Sequence, residues 1–187
     1  METISQESPQ LSTKDIILRY GLIGAGVSIL ITTLLYVIDY TMLFGGFAYI
    51  GIVSIIIIGI LAALHKKRSN NGIISYGESV SLSIGSFAVS EGLATVFGIL
   101  LYLVIDTSLV AKMKNLQMDK MDKLLSSGAL NKEQYKVATA SIEKIDTNSI
   151  LFYSLGGFLV FTILVLIIYL ITSIFIKNES PFKNNSI

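Results

Sequence analysis

Four long apolar segments, Ile16–Ile38, Met42–Leu64, Ser79–Ile105 and Ile150–Ile176, are separated by polar stretches. At about 1.5 Å per residue each outreaches the roughly 30 Å of hydrocarbon in a bilayer, so each is predicted to cross a membrane as a helix. The first link is short, Asp39-Tyr40-Thr41, and forces an antiparallel hairpin, with Gly45-Gly46 just inside the second span. The second link reads His65-Lys66-Lys67-Arg68-Ser69-Asn70-Asn71-Gly72. The third, 106–149, has a pattern of its own. Leu109, Met113, Leu116 and Leu124 recur at helical spacing in its first half. Tyr135, Ala138, Ile142 and Ile145 form a narrow 3-4-3 stripe in its second. Ser126-Ser127-Gly128-Ala129-Leu130 stops the first helix. Asn131 with Gln134 three residues on is a capping box that starts the next. Ile105-Asp106-Thr107 and Ile145-Asp146-Thr147 sit at nearly mirror positions about this turn, where both long helices are expected to break at the membrane surface.

The expected fold is therefore all-α: a four-helix transmembrane bundle with an extramembrane helical hairpin between spans three and four. Residues 1–13 are read as a disordered N-terminus, 14–177 as the membrane domain with its hairpin at 106–149, and 178–187 as a tail. The first apolar run is about twice the length of a signal-peptide core and has no persuasive cleavage site, so it is read as a retained anchor. One compact bundle is expected to take up the length, without a separate soluble enzyme domain.

Composition sharpens this picture. Hydrophobic residues make up 52% of the 187 positions and charged ones 14%, against about 25% charge in a soluble domain. With no Cys and one His, thiolate, disulfide and histidine-based metal chemistry drop out. No catalytic, cofactor-binding or metal residue is assigned, and nothing points to nucleic acid. His65 is read as a solvated helix end. The dense Lys66-Lys67-Arg68 run marks a cytoplasmic side, and Lys14, Arg19, Lys177 and Lys183 agree. The 106–149 link also carries seven Lys or Arg but offsets them with six acids. Both termini are thus expected on the cytoplasmic side of a bacterial inner membrane, with the hairpin outside. Tyr20, Tyr36, Tyr40, Tyr76, Tyr102, Tyr153 and Tyr169 are placed at the interfaces by the same reasoning.

The candidate polar site lies in span three. Glu91 is near mid-bilayer, where an acid costs about 2.5–3.5 kcal/mol on insertion scales. With no cation at matching depth, desolvation favours the neutral acid. A structural hydrogen bond to Ser28, Thr32, Ser54 or a tyrosine is one reading, and a proton-coupling site is the other. Ser79, Ser83, Ser86 and Ser90 line one face at 4-3-4 spacing, either for close helix packing or as a hydrated path. Gly21, Gly24, Gly59, Gly156 and Gly157 are read as packing contacts. Asp39, Asp106 and Asp146 could gather near the outer surface, though their spacing is no metal signature. Ser75 and Glu78 are read as a capping box for span three. The face Tyr135, Ala138, Ile142 and Ile145 is the candidate surface for a membrane-protein partner. Beyond the lipid bilayer, a homo-oligomer is the other association expected.

The basic turn Lys66-Lys67-Arg68, the run Gly72-Ile73-Ile74-Ser75-Tyr76-Gly77-Glu78 and the hairpin segment Gly128-Ala129-Leu130-Asn131-Lys132-Glu133-Gln134-Tyr135 together resemble a bacterial family of small integral membrane proteins, domain-of-unknown-function family 4199. The resemblance covers roughly residues 14–177. It implies a membrane protein and carries no activity with it. A non-enzymatic structural or accessory subunit with an outward hairpin is the first functional expectation. A small oligomeric transporter or proton-coupled permeation protein using Glu91 is the second.

Overall fold

The computed structural model describes residues 12–178, with side chains except at 147, 150, 151, 153 and 154. The expectations for the extreme N-terminus, for most of the tail with Lys183, and for Tyr153 lie outside the described residues. Among the described residues six α-helices follow one another: α1 (Thr13–Ile38), α2 (Tyr49–Ser69), α3 (Tyr76–Leu100), α4 (Leu109–Ser126), α5 (Lys132–Glu143) and α6 (Thr147–Ile176). Among the described residues there is no strand. Four stretches are long and apolar enough to cross a membrane: Thr13–Ile38, Gly46–Ser69, Tyr76–Ile105 and Leu155–Ile176.

Local chemistry starts and stops these helices. Ser12 and Asp15 form a reciprocal capping box on α1, Asn131 and Gln134 one on α5, and Asp146 and Ser149 one on α6, each satisfying otherwise orphaned N–H groups. After α4, Gly128 turns the chain out of the helix at φ 75°, a conformation with little steric cost only for glycine. Both long helices that flank the hairpin break near the aspartates. α3 widens into a π turn over Leu101–Ile105 and ends at Asp106, and α6 begins after Asp146.

The second span differs from its sequence reading at both ends. Residues 40–48 form two 3-10 turns, Tyr40–Phe44 and Gly46–Ala48, so α2 starts at Tyr49 instead of Met42. Asp39 accepts from the Thr41 N–H at 2.9 Å and fixes the first of these turns. The extended Gly45 separates it from the second. At its other end α2 runs on through the basic cluster to Ser69. Cations in a last turn are favoured by the helix dipole, which lets Lys66, Lys67 and Arg68 continue the helix.

α3 is the hub of the bundle and packs against α1, α2 and α6. Its neighbours meet at the end that holds the α1 N-terminus. There Lys67 Nζ donates to the Ile176 carbonyl at 2.8 Å, and Ile74 and Asn178 exchange two backbone bonds at 3.0 Å. Glu78 is N-capped by Ser75 through its backbone, but its carboxylate does not return to Ser75. It accepts from Thr13 Oγ1 at 3.3 Å and lies 3.9 Å from Lys66 Nζ, joining three helix ends. His65 is no free helix end either: its Nδ1 is 3.0 Å from the Tyr20 hydroxyl and the two rings meet edge to face.

Mid-bundle, Ile55, Phe87, Val165 and Tyr169 form a buried cluster. Tyr169 is thus a core residue and not an interfacial one. It is 0% exposed, donates to Ile56 O at 3.2 Å and stacks edge to face on Phe87. Outward-facing apolar side chains such as Leu22, Leu30, Ile57, Ile163 and Ile171 remain exposed, as lipid-facing positions do.

Candidate functional site

α3 carries two polar rows, about 100° apart on its circumference. The first is the serine stripe. Ser79, Ser83, Ser86 and Ser90 are all 0% exposed, so the stripe is sealed between helices. Ser79 donates to Ser173 Oγ of α6 at 2.9 Å, and Ser90 Oγ lies 2.9 Å from both Gly21 O of α1 and Ser86 O. Ser83 and Ser86 hydroxyls have no hydrogen-bond partner among the described residues. The glycines of the facing helices make this closeness possible. A Cβ at Gly24 would fall on Ser90 Oγ, and one at Gly21 would lie 2.6 Å from Val89. Gly156 and Gly157 do not belong with them: among the described residues nothing stands within 4 Å of a Cβ built at either.

The second row is Glu91, Thr95, Gly98 and Tyr102, spaced 4-3-4. It lines a groove of about 210 Å³ together with Ile52 of α2 and Gly157, Phe158 and Phe161 of α6. Glu91 is half-buried there and makes no hydrogen bond among the described residues. Among the described residues it forms no bond to Ser28, Thr32 or Ser54. Ser90 faces α1, and one residue of helical rotation turns Glu91 away from Ser28 toward the side of α2 and α6. Ser54 spends its hydroxyl on Gly51 O of its own helix at 2.6 Å. The sequence reading does not single out Thr95 and takes Tyr102 only as an interfacial tyrosine, although their spacing from Glu91 is the available signal. The groove sets a carboxyl and two hydroxyls in an otherwise apolar surface.

At the opposite end of the bundle from His65, Asp106 joins three elements. It accepts from Tyr36 Oη of α1 at 3.1 Å, from Lys112 Nζ of α4 at 2.9 Å and from Ser108 N at 3.0 Å, with a short bond to Ser108 Oγ. These bonds, led by that from the Ser108 hydroxyl, hold the carboxyl well below the usual carboxylate range, and the same pairing raises Lys112. Lys112 Nζ also lies 5.1 Å from the centre of the Tyr40 ring, a cation–π contact. Asp39 and Asp146 serve locally as caps, and each is held low by its bonds to Thr41 and Ser149 respectively. The three aspartates are thus occupied separately, and no group of three potential metal ligands occurs among the described residues.

Above this junction α4 and α5 pack as a hairpin. The stripe proposed as a partner surface turns inward. Ile142 is buried, while Tyr135, Ala138 and Ile145 are half-buried. Tyr135 donates to Asp122 of α4 at 2.6 Å, which raises the phenol. Ile145 lies past the end of α5, because the chain leaves the helix at Lys144 to reach the Asp146 cap. An amphipathic helix beside another buries its apolar face first, and this stripe is what α5 has to bury. Exposed apolar area on the hairpin comes instead from Val137 and Leu124.

This bundle, with lipid-facing apolar sides, a sealed polar seam and a hairpin at one end, is that of a multi-pass helical membrane protein. The chain belongs to the protein family of unknown function DUF4199, whose model matches residues 19–178. No curated protein and no solved structure matches it.

Proposed function

We propose that the chain is a non-enzymatic accessory subunit of a bacterial inner membrane, with both termini cytoplasmic and the α4–α5 hairpin presented outside as a platform for a membrane-protein partner. The observation that supports this reading is the Tyr36–Asp106–Lys112 junction, which ties the start of the hairpin to α1 as well as to the end of α3. A mere connector needs no such tie, whereas a platform needs a fixed orientation. Because the stripe of Tyr135 and Ile142 closes the hairpin, the partner side is assigned to Val137, 65% exposed. The chain has no Cys, so Val137→Cys introduces a single thiol. It is expected to react with a membrane-impermeant maleimide in intact cells, and to give one discrete adduct with a short thiol-to-amine cross-linker. Reaction only after the membrane is opened would reverse the orientation. Labelling without any adduct would remove the platform.

The Glu91 groove favours a second reading, a small oligomeric permeation protein in which Glu91 carries the proton. An acid near mid-bilayer is costly enough to mark a function by default. On this reading Glu91→Gln abolishes proton-coupled uptake in vesicles while the variant melts like the parent chain. An uptake rate unchanged by Gln excludes Glu91 as the proton carrier.

A further inference from the structure

We infer that the groove between α1 and α2 at the basic end of the bundle is a binding site for an anionic phospholipid. The groove has a volume of about 420 Å³ and is lined by Tyr20 of α1 with Leu61, Leu64, His65, Arg68 and Ser69 of α2. On α2 Leu61, the pair Leu64 and His65, and the pair Arg68 and Ser69 recur three to four residues apart, so they form one face read along the membrane normal. That face changes character with depth. Leu61, exposed on the lipid side, comes first, then Leu64 and His65, and last the exposed Arg68 and Ser69 at the helix end. A lipid has the same order: acyl chain, ester region, phosphate.

The polar groups suit a phosphate. Arg68 presents a planar fork of donors that matches phosphate oxygens in pairs, and it forms no ion pair among the described residues. The Tyr20–His65 pair adds another donor in either tautomer. If the Tyr20 hydroxyl donates to Nδ1, the ring hydrogen is on Nε2 and free for the ligand. If Nδ1–H donates, the tyrosine hydroxyl hydrogen is free. Ser69 Oγ is turned back to Lys66 O at 3.0 Å and keeps its lone pairs, so it borders the site without being a donor.

The nearby charges are arranged to leave Arg68 available. Glu78 is held by Thr13 and lies against Lys66, Asp15 is held in the Ser12 capping box, and Lys67 caps α6 at Ile176. Among the described residues the remaining field at this end is cationic, and basic pockets between transmembrane helices are where anionic headgroups are held. Tyr20, an amphipathic ring at the same level, closes the α1 side of the groove.

The test is native mass spectrometry of the purified full chain, released from nanodiscs of phosphatidylglycerol and phosphatidylcholine with identical acyl chains. Phosphatidylglycerol is expected to remain bound in preference to phosphatidylcholine. Arg68→Gln is expected to weaken that retention by about tenfold or more, from the loss of a charge-assisted pair. Arg68 is exposed, so the substitution does not disturb the core, and an unchanged melting temperature in detergent verifies it. Arg19→Gln, a cation of the same end outside the groove, should leave retention as it was. Leu61→Asn, which acts on the acyl-chain side alone, should weaken retention too. Equal retention of the two lipids, or equal loss with Arg19→Gln and Arg68→Gln, overturns the site. Displacement of the lipid by millimolar inorganic phosphate, with Leu61→Asn silent, assigns the groove to a soluble anion and overturns the lipid.

Discussion

Gly59→Val is expected to abolish the folded bundle, or to lower its melting temperature in detergent more than any other single glycine substitution in the spans. A Cβ at Gly59 would fall on the Tyr169 hydroxyl and stand 2.9 Å from the backbone carbonyl of Ser83. Neither neighbour can yield. Tyr169 is fully buried, bonded to Ile56 O and packed on Phe87, and the Ser83 carbonyl is part of the hub helix. The added atoms therefore push α2 from both α3 and α6 at once. Overpacking of this kind costs about 1–3 kcal/mol in soluble cores, occasionally more. In a membrane the penalty extends further. Helix association there rests on van der Waals contact and interhelical hydrogen bonds, without a hydrophobic force to restore it. Gly26→Val is the control, since nothing stands within 4 Å of a Cβ at Gly26. Thermal aggregation followed by size-exclusion chromatography separates the two. Equal midpoints for both variants would mean that the α2–α3–α6 contact does not hold the bundle together.

The four spanning helices are legible in the sequence because hydropathy and length suffice for them, and the breaks at Asp106 and Asp146 because a polar cap interrupts an apolar run. Which way a helix faces is a different matter. α6 is apolar nearly all round, so nothing in its pattern distinguishes the buried Tyr169 from a tyrosine at the headgroups. Only the gap left by Gly59 on α2 does so. The serine stripe was visible as a face, but not that Ser90 would turn to α1 and thereby send Glu91 to the other side. The 3-10 turns of residues 40–48 were hidden for another reason: Met42, Leu43, Phe44 and Phe47 are as apolar as a span, and hydropathy cannot tell a coiled apolar segment from a helical one. The inward turn of the hairpin stripe follows from packing that a single helix pattern does not contain. An apolar face predicts burial, and the burying partner here is α4 of the same hairpin.

Asp106→Ala is expected to release the hairpin from the bundle while leaving the four spans intact. The carboxylate serves Tyr36, Lys112 and Ser108 together, so its removal leaves a tyrosine hydroxyl and an ammonium without their shared acceptor. The Lys112 contact with Tyr40 stays in place, but it is weaker than a charge-assisted bond. The pH dependence follows from the direction of the Asp106 shift. Its folded value is depressed below the ordinary 3.8, so the stabilisation is fully present above about pH 4 and is lost as pH falls through the folded value. The native junction should therefore be indifferent to pH between 7 and 4, and should loosen only in stronger acid. Because the chain has no Cys, spin labels on cysteines introduced at the exposed positions Val37 and Lys120 report the distance from the end of α1 to α4 without interference. The parent chain should give one narrow distribution at pH 7 and at pH 4, and Asp106→Ala a broad one at both. Asp106→Asn, which keeps an acceptor but not the charge, should fall between them. A narrow distribution for Asp106→Ala would show that the helix ends alone orient the hairpin, and the platform would then need no latch.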